Sequence, residues 1–186
     1  MKKMRSIALL ILAFCFIFVT TSAIAAPKAV PKAAPKKGTE SIAAIAIDAG
    51  FNELVAALQY VDKELDAGLV DLFMNGTDQY TVFAPTDAAF ENLYKTLEID
   101  GITDLQPGLV LDVLLYHVTE GRRAANSVVP PVANRVITTL LGETFMVDRD
   151  AVITDIAGQE AKILIPNISA SNGIIHIIDT VILPLD

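Results

Sequence analysis

The sequence YTVFAPTDAAF at residues 80–90 decides how the chain is organised. It opens with a short run of β-branched and aromatic residues, and Pro85 keeps the residue before it extended, which predicts a strand. Thr86 or Asp87 can then accept hydrogen bonds from the free backbone N–H groups at the start of a helix. The apolar residues of 90–97 follow with helical spacing. The stretch therefore predicts a strand that leads directly into a capped helix.

The residues on either side also have helical patterns. Upstream, five apolar residues recur at positions i, i+3, i+4, i+7 and i+11, on one face of a helix: Leu54, Ala57, Leu58, Val61 and Leu65. Gly50 and Gly68 are plausible ends of that helix. Downstream, Pro107 can be the first residue of another helix. Because residues 110–118 are apolar around most of the helix circumference, we expect this helix to be central and buried.

From Val136 onward the apolar period shifts towards two. Short apolar runs separated by Gly, Asp and Asn occur about every ten residues, as in an antiparallel sandwich or barrel. The runs are 136–140, 144–147, 151–154, 162–165 and 174–178. Helices first and strands later favour an α+β fold over a doubly wound parallel sheet. We expect residues 39–186 to form a single domain.

The amino-terminal region has the layout of a secretory signal peptide. A basic start at residues 1–5 is followed by an unbroken apolar run at 7–19 and by small side chains at 23–25. This predicts a signal peptide at 1–25, cleaved after Ala25, with an uncleaved membrane anchor as the alternative. Cleavage would leave a mature chain without cysteine, because Cys15 lies within the apolar run.

A linker rich in Pro, Lys and Ala is predicted at residues 26–38. Proline recurs there at every fourth position, which prevents a helix and favours an extended, solvated chain. Four linker lysines could contact anionic cell-envelope material weakly, or the linker could have no partner. These are Lys28, Lys32, Lys36 and Lys37.

Composition excludes several functional classes. All 22 acidic side chains but only seven of the 14 basic ones lie in residues 40–186, so this part has a formal charge of −15. Such a body repels phosphate, which argues against nucleic acid as a partner. With one Cys and two His residues, a cysteine-based zinc site or a multi-histidine metal centre is not expected. We therefore predict no metal and no cofactor.

The residues that could perform acid–base chemistry have simpler structural explanations. His117 lies among apolar residues, where a buried neutral imidazole bonded to the backbone is expected. Asp87 fits the first turn of a helix, where a carboxylate opposes the helix dipole. His176 alternates with Ile175 and Ile177, which predicts a surface or inter-sheet position. Because no serine lies in a Gly-x-Ser-x-Gly elbow, we predict that the protein is not an enzyme.

Three ordered segments resemble the fasciclin domain family. Residues 81–90 resemble its first conserved segment, 114–118 its central Tyr-His segment, and 172–184 its closing segment. The resemblance covers the chain from about Thr39 to Leu185. It implies a compact fasciclin-type β-sandwich or wedge of short strands packed with several helices. It also implies an exported protein that acts in adhesion or ligand contact.

The same resemblance implies four partner-binding residues. The animal adhesive members are held to use the Tyr-His segment and an Asp-Ile pair, which correspond to Tyr116, His117, Asn167 and Ile168. Asn167 replaces the Asp of that pair. Because integrin recognition commonly needs a carboxylate for a bound cation, the resemblance does not extend to integrin binding.

The functional hypothesis is an exported domain, periplasmic or secreted, that mediates adhesion or binds a cell-envelope, matrix or protein partner. The alternative is a small-molecule carrier, because helix and sheet layers can enclose an apolar pocket. A hydrolase is the third possibility, since a catalytic triad can assemble from distant positions.

Overall fold

A computed structural model describes residues 37–184 of the chain. The predicted signal peptide and all but the last two residues of the predicted linker lie outside this range. The helices within it are α1 (Ile42–Asp48), α2 (Asn52–Leu65), α3 (Leu69–Asn75), α4 (Asp87–Leu97), α5 (Pro107–Tyr116) and α6 (Ala125–Val128). The strands are β1 (Tyr80–Pro85), β2 (Val118–Glu120), β3 (Arg135–Thr138), β4 (Thr144–Val147), β5 (Val152–Thr154), β6 (Glu160–Ala170) and β7 (Gly173–Ile178). A short 3-10 turn lies at Ile102–Asp104.

The strand β1 leads into the capped helix α4, as predicted. Thr86 is the N-cap residue, because its hydroxyl oxygen accepts a hydrogen bond from the N–H of Ala89 at 3.3 Å. Asp87 follows in the first turn, but its carboxylate bonds to a different helix. It accepts from the backbone N–H of Glu53 at 3.0 Å and from the side-chain amide of Asn52 at 2.9 Å. Asp87 therefore caps α2 and holds it against the start of α4.

The helix α2 has the predicted apolar face. Four of its five predicted stripe residues are buried, whereas Leu65 in the last turn is 42% exposed. Gly50 and Gly68 have φ angles of 77° and 69°, in the left-handed region that glycine tolerates, and they separate α2 from α1 and α3. The pattern analysis did not predict α1 and α3. Each has seven residues, too few for a helical period to be distinct.

A buried amide connects the β6–β7 turn to two helices. The side-chain oxygen of Asn172 accepts from the N–H of Ile42 at 2.8 Å, at the start of α1. Its amide nitrogen donates to the carbonyl of Phe73 at 2.9 Å, near the end of α3. Asn172 is therefore satisfied on both sides, as a buried amide must be.

The strands form one hydrogen-bonded sheet in the order β2-β1-β7-β6-β5-β4-β3. The strands after Val136 pair antiparallel, as predicted. In contrast, β1 pairs parallel with β7 and antiparallel with β2. The long strand β6 joins the two halves of the sheet, because its first residues pair with β5 and its remainder pairs with β7.

Both faces of β1 and β7 are covered. Side chains such as Val82 and Ile175 face a first core shared with the helices. Phe83 and Ile178 face a second core with Phe145 and other residues of β3–β6. The predicted α+β fold of short strands packed with several helices is confirmed. Within residues 37–184 no helix combines the length and apolar composition needed to cross a membrane.

Candidate functional site

Tyr116 ends α5 and lies in the second core. Its side chain is 0% exposed, and its ring meets that of Phe145 edge to face, with centroids 5.9 Å apart. The hydroxyl donates to the carbonyl of Thr144 at 2.9 Å. Burial raises the pKa of Tyr116 to about 12, so the phenol stays neutral and remains a donor. This side chain joins α5 to β4 inside the protein, and its contact with a partner stays a prediction.

His117 caps the end of α5 and is 3% exposed. One ring nitrogen, Nε2, accepts from the N–H of Ile182 at 3.2 Å. The other, Nδ1, therefore carries the proton and donates to the carbonyl of Val113 at 2.7 Å. Burial lowers the pKa of His117 to about 4, which keeps the ring neutral. The predicted buried imidazole at the helix end is confirmed, and contact of this ring with a partner stays a prediction.

Asn167 interrupts β6 in a left-handed conformation, with φ at 68°. Asparagine tolerates this region better than most residues. Its side-chain oxygen accepts from the N–H of Ala125 at 2.7 Å and so caps the short helix α6. Its own N–H donates to Nδ1 of His176 at 3.3 Å. The predicted site residue Asn167 is thus fixed by bonds to two neighbouring segments.

His176 occupies the predicted inter-sheet position. It is 0% exposed and stacks on the ring of Phe83, with centroids 5.4 Å apart. Its Nε2 bonds to the carbonyl of Arg123 at 2.9 Å. Burial lowers the pKa of His176, so this ring too is neutral. His176 therefore connects the segment before α6 to β6, because its ring bonds to Arg123 in the first and to Asn167 in the second.

The segment Leu164–Ile168 forms a bulge in β6, which we call the β6 bulge. The register between β6 and β7 shifts twice there, between Ile163 and Ile165 and again between Ile165 and Ile168. The side chains of Leu164 and Ile165 are 49% and 53% exposed, and Pro166 is exposed beside them. Ile168 returns to the sheet opposite Ile175 and is half-buried.

The sequence predicted Asn167 and Ile168 as candidate site residues but did not indicate that Leu164 and Ile165 are exposed. Leu164 and Ile165 were assigned to a regular strand, in which one of two successive residues faces the core. The proline that follows was the available signal, because proline within a strand marks an edge or a bulge. The structure separates Asn167 and Ile168, which lie at the surface, from Tyr116 and His117, which lie in the interior.

Arg122 fixes the chain just after the β6 bulge. Its guanidinium donates to the carbonyl groups of Ala170 and Gly173 and to the hydroxyl of Ser169. The bonds reach both sides of the β6–β7 turn, so Arg122 and Asn167 together fix the chain at and after the carboxyl-terminal end of the β6 bulge. The sequence carried no signal for this role, because the contacts go to backbone atoms far along the chain.

An apolar cavity of about 150 Å³ lies between α2, α4, α5 and residues 181–183. Its walls are aliphatic and aromatic apart from His117, whose two ring nitrogens already have backbone partners. Across residues 37–184 no three His, Cys, Asp or Glu side chains are grouped so that they could hold a metal ion.

The family model of the fasciclin domain matches residues 49–184. The chain belongs to the fasciclin domain family. A relative from Synechocystis sp., Protein sll1483, is 35% identical over 137 residues, which are 72% of this chain and 67% of that protein. The cell surface glycolipoprotein MPB83 of Mycobacterium bovis is 34% identical over 64% of this chain and 49% of its own length.

A solved structure has the same fold. It is a FAS1 domain pair from the insect cell adhesion molecule fasciclin I, with a TM-score of 0.56 and 16% sequence identity. The match covers 78% of this chain and 51% of the insect chain. At this identity the likeness concerns the fold alone. In this fasciclin domain, the β6 bulge and the apolar cavity are two features of residues 37–184 that could serve binding.

Proposed function

We propose that this fasciclin domain is exported and acts by surface contact, and that the β6 bulge is its contact surface. The observation that carries the proposal is the exposure of Leu164 and Ile165, two large adjacent aliphatic side chains, on a rigid bulge. Rigid apolar side chains lose little conformational entropy on binding, so they are suited to anchor a partner.

The chain is fixed on both sides of the bulge, because Ile163 pairs with Ile178 of β7 before it and side-chain bonds hold the chain at its carboxyl-terminal end. Asn167 bonds to Ala125 and to His176, and Arg122 bonds across the following turn. Asn167 and Ile168 then have a positioning role, in which they hold the exposed pair outward. Tyr116 and His117 lie in the interior, where they bond to β4 and to the segment after β7.

The relatives support an extracellular setting for this activity. One is described as a cell surface glycolipoprotein, and the solved structure comes from a cell adhesion molecule. The predicted signal peptide supports the same location. We infer that the partner is a component of the cell envelope or matrix, or a protein exposed there.

The protein acts without catalysis in this proposal. Acid–base chemistry at neutral pH would most often use histidine. Both ring nitrogens of His117 and of His176 are bonded to backbone groups, so neither ring is available as a base.

Attachment of beads coated with the protein to envelope material from the producing cells tests the contact surface. We expect Ile165→Ser to reduce attachment at least fivefold without changing the thermal midpoint. Val136→Ser is the matched control, because Val136 is similarly exposed, at 59%, on β3. Proximity labelling from the exported protein would then identify the partner. Full attachment by Ile165→Ser, or equal loss in both variants, would refute the assignment of the bulge.

A second candidate function, a small-molecule carrier, is favoured by the apolar cavity. The cavity is in the size range that holds a small apolar molecule and lies beside the surface of α4. Mass spectrometry of protein purified under native conditions distinguishes the two functions. A carrier should retain a ligand at one molecule per chain, whereas a contact module should carry none.

A further inference from the structure

A second cleft, of about 230 Å³, adjoins the apolar cavity and shares four lining residues with it: Leu93, Leu97, Val181 and Leu183. The first two belong to α4 and the last two follow β7. The cavity and the cleft therefore lie next to each other between α4 and residues 181–183, and we call the pair the α4 groove.

The cavity end of the α4 groove accepts hydrocarbon only. Its lining is apolar apart from His117, and that ring donates to Val113 and accepts from Ile182. A polar group of a ligand placed there would lose its water and find no partner, which is costly. A cavity of about 150 Å³ with apolar walls is known to stay dry and to hold a benzene-sized molecule. The hydrocarbon part of the ligand should therefore have about six carbon atoms inside the cavity.

The cleft end is more polar than the cavity, because its lining includes Asn92, Thr96, Gln159 and Thr180. The hydroxyls of Thr96 and Thr180 and the amide nitrogen of Gln159 already donate within the protein, so their oxygens remain as acceptors for a ligand hydroxyl.

The charge of the cleft selects among ligand head groups. Asp179 is the charged residue in its lining, and no lysine or arginine belongs to that lining. Its Oδ1 accepts from the N–H of Lys162 at 2.8 Å and from the hydroxyl of Thr180 at 3.0 Å. An anionic head group would face this carboxylate without a cation to balance it. Fatty acids and phospholipids are disfavoured for this reason.

We propose that the α4 groove binds a neutral, single-chain amphiphile, with an alkyl chain in the cavity and a head rich in hydroxyl groups in the cleft. This assignment rests on the carrier candidate and names its ligand class. It is independent of the β6 bulge, which lies on a different part of the chain.

A chain-length series of alkyl glucosides tests the assignment on the protein as its host produces it. Butyl, hexyl, octyl and decyl glucoside are titrated below their critical micelle concentrations, and binding is followed by amide NMR shifts. We expect one site per chain and an affinity that rises about fourfold per added methylene. The rise should stop near six carbons, when the cavity is full. A rise that continues to decyl would indicate nonspecific adsorption and would overturn the assignment.

Two variants locate the site. Val113→Phe adds a ring at the wall of the cavity and should weaken hexyl glucoside binding at least tenfold. Val136→Phe makes the same change on the exposed face of β3 and should leave binding unchanged. Asp179→Asn keeps an oxygen for the N–H of Lys162 and removes the charge. It should increase the weak binding of hexanoate several-fold without weakening hexyl glucoside.

Competing outcomes separate the ligand class from the carrier function. If hexanol binds as tightly as hexyl glucoside, the carrier candidate stands and the amphiphile assignment fails. If hexanoate binds more tightly than the glucoside, the assignment of a neutral head fails. If hexanol, hexanoate and all the glucosides leave the cavity resonances unshifted, the carrier candidate and the ligand class both fail.

Discussion

The side chain of His176 donates from Nε2 to the carbonyl oxygen of Arg123 over 2.9 Å, because its Nδ1 is occupied by the N–H of Asn167. The ring is therefore a neutral tautomer with its proton on Nε2. His117 has the opposite tautomer, since its Nε2 accepts from Ile182. Each imidazole joins two segments that are distant in sequence, and each does so only while uncharged.

The two histidines should make stability depend on pH. Burial lowers the pKa of both rings, that of His117 to about 4. As the pH falls below about 6.5, an imidazole in the unfolded chain binds a proton that the buried ring does not bind. The two histidines should thus leave the free energy of unfolding unchanged above about pH 6.5 and lower it below that pH, His117 by up to about 1.4 kcal/mol per pH unit and His176 in the same direction. For His117 the fall ends near pH 4. Urea unfolding at pH 7.5, 6.5, 5.5 and 4.5 measures it.

The variant His117→Asn serves as the control for this pH dependence. Asparagine can bond to backbone groups and does not titrate, so the variant should be less stable at pH 7.5 and show a shallower slope between pH 6.5 and 4.5. A slope equal to that of the natural protein would mean that His117 is not neutral in the folded state.

Tyr116 should behave as a core residue. Tyr116→Ala removes a ring that is fully buried, and we expect the free energy of unfolding to fall by about 3–5 kcal/mol. Tyr116→Phe removes only the bond to Thr144 and should cost about 1 kcal/mol. Urea unfolding gives both values, and bead attachment should persist in Tyr116→Phe. Unchanged stability with lost attachment in Tyr116→Ala would restore the residue to the contact surface.

Gly173 should tolerate no side chain. A Cβ atom there would lie 2.1 Å from the carbonyl oxygen of Tyr80, so Gly173→Ala should separate β1 from β7 and leave little folded protein. Gly108→Ala is the matched control in α5, where a Cβ would have no heavy atom within 4 Å. Because alanine favours helix, it should raise stability by about 0.5–1 kcal/mol. Circular dichroism at increasing temperature compares the two, and a folded Gly173→Ala variant would contradict the tight β1–β7 contact.

Asp87 should stabilise a helix other than its own. Asp87→Ala removes the acceptor for the N–H of Glu53 and should lower the free energy of unfolding by about 1 kcal/mol. Asp112→Ala, at an exposed position of α5, should change it by less than about 0.5 kcal/mol. Hydrogen exchange should locate the loss in the first turn of α2. Faster exchange confined to α4 would mean that the carboxylate acts on its own helix.

Much of the fold could be predicted from local patterns. The β1–α4 transition depends on neighbouring residues such as Pro85 and Thr86, and the strands after Val136 depend on a period of two. The parallel pairing of β1 with β7 could not be predicted, because those strands lie about ninety residues apart and periodicity carries no information on partners. The roles of Asn172 and Asp87 were missed for the same reason.

The candidate site was harder to predict than the fold. Apolar surroundings correctly indicated that His117 is buried, but the family resemblance also suggested it as a contact residue. Exposure depends on which face a residue takes in its strand, and at the two register shifts in β6 Ile165 is exposed as well as Leu164. The sequence pattern of β6 alone cannot show a register shift, because the register is defined by pairing with β7.

The parallel contact between β1 and β7 also governs when this protein can fold during its synthesis. The centre of the sheet is incomplete until residues 173–178 have left the ribosome, although β1 was made about ninety residues earlier. A nascent chain that lacks this last strand cannot close its hydrophobic layers, and pairings so distant in sequence form slowly. We therefore expect the polypeptide to complete its fold only late in translation, which would suit the export proposed above, because an unfolded chain can pass through a translocation pore.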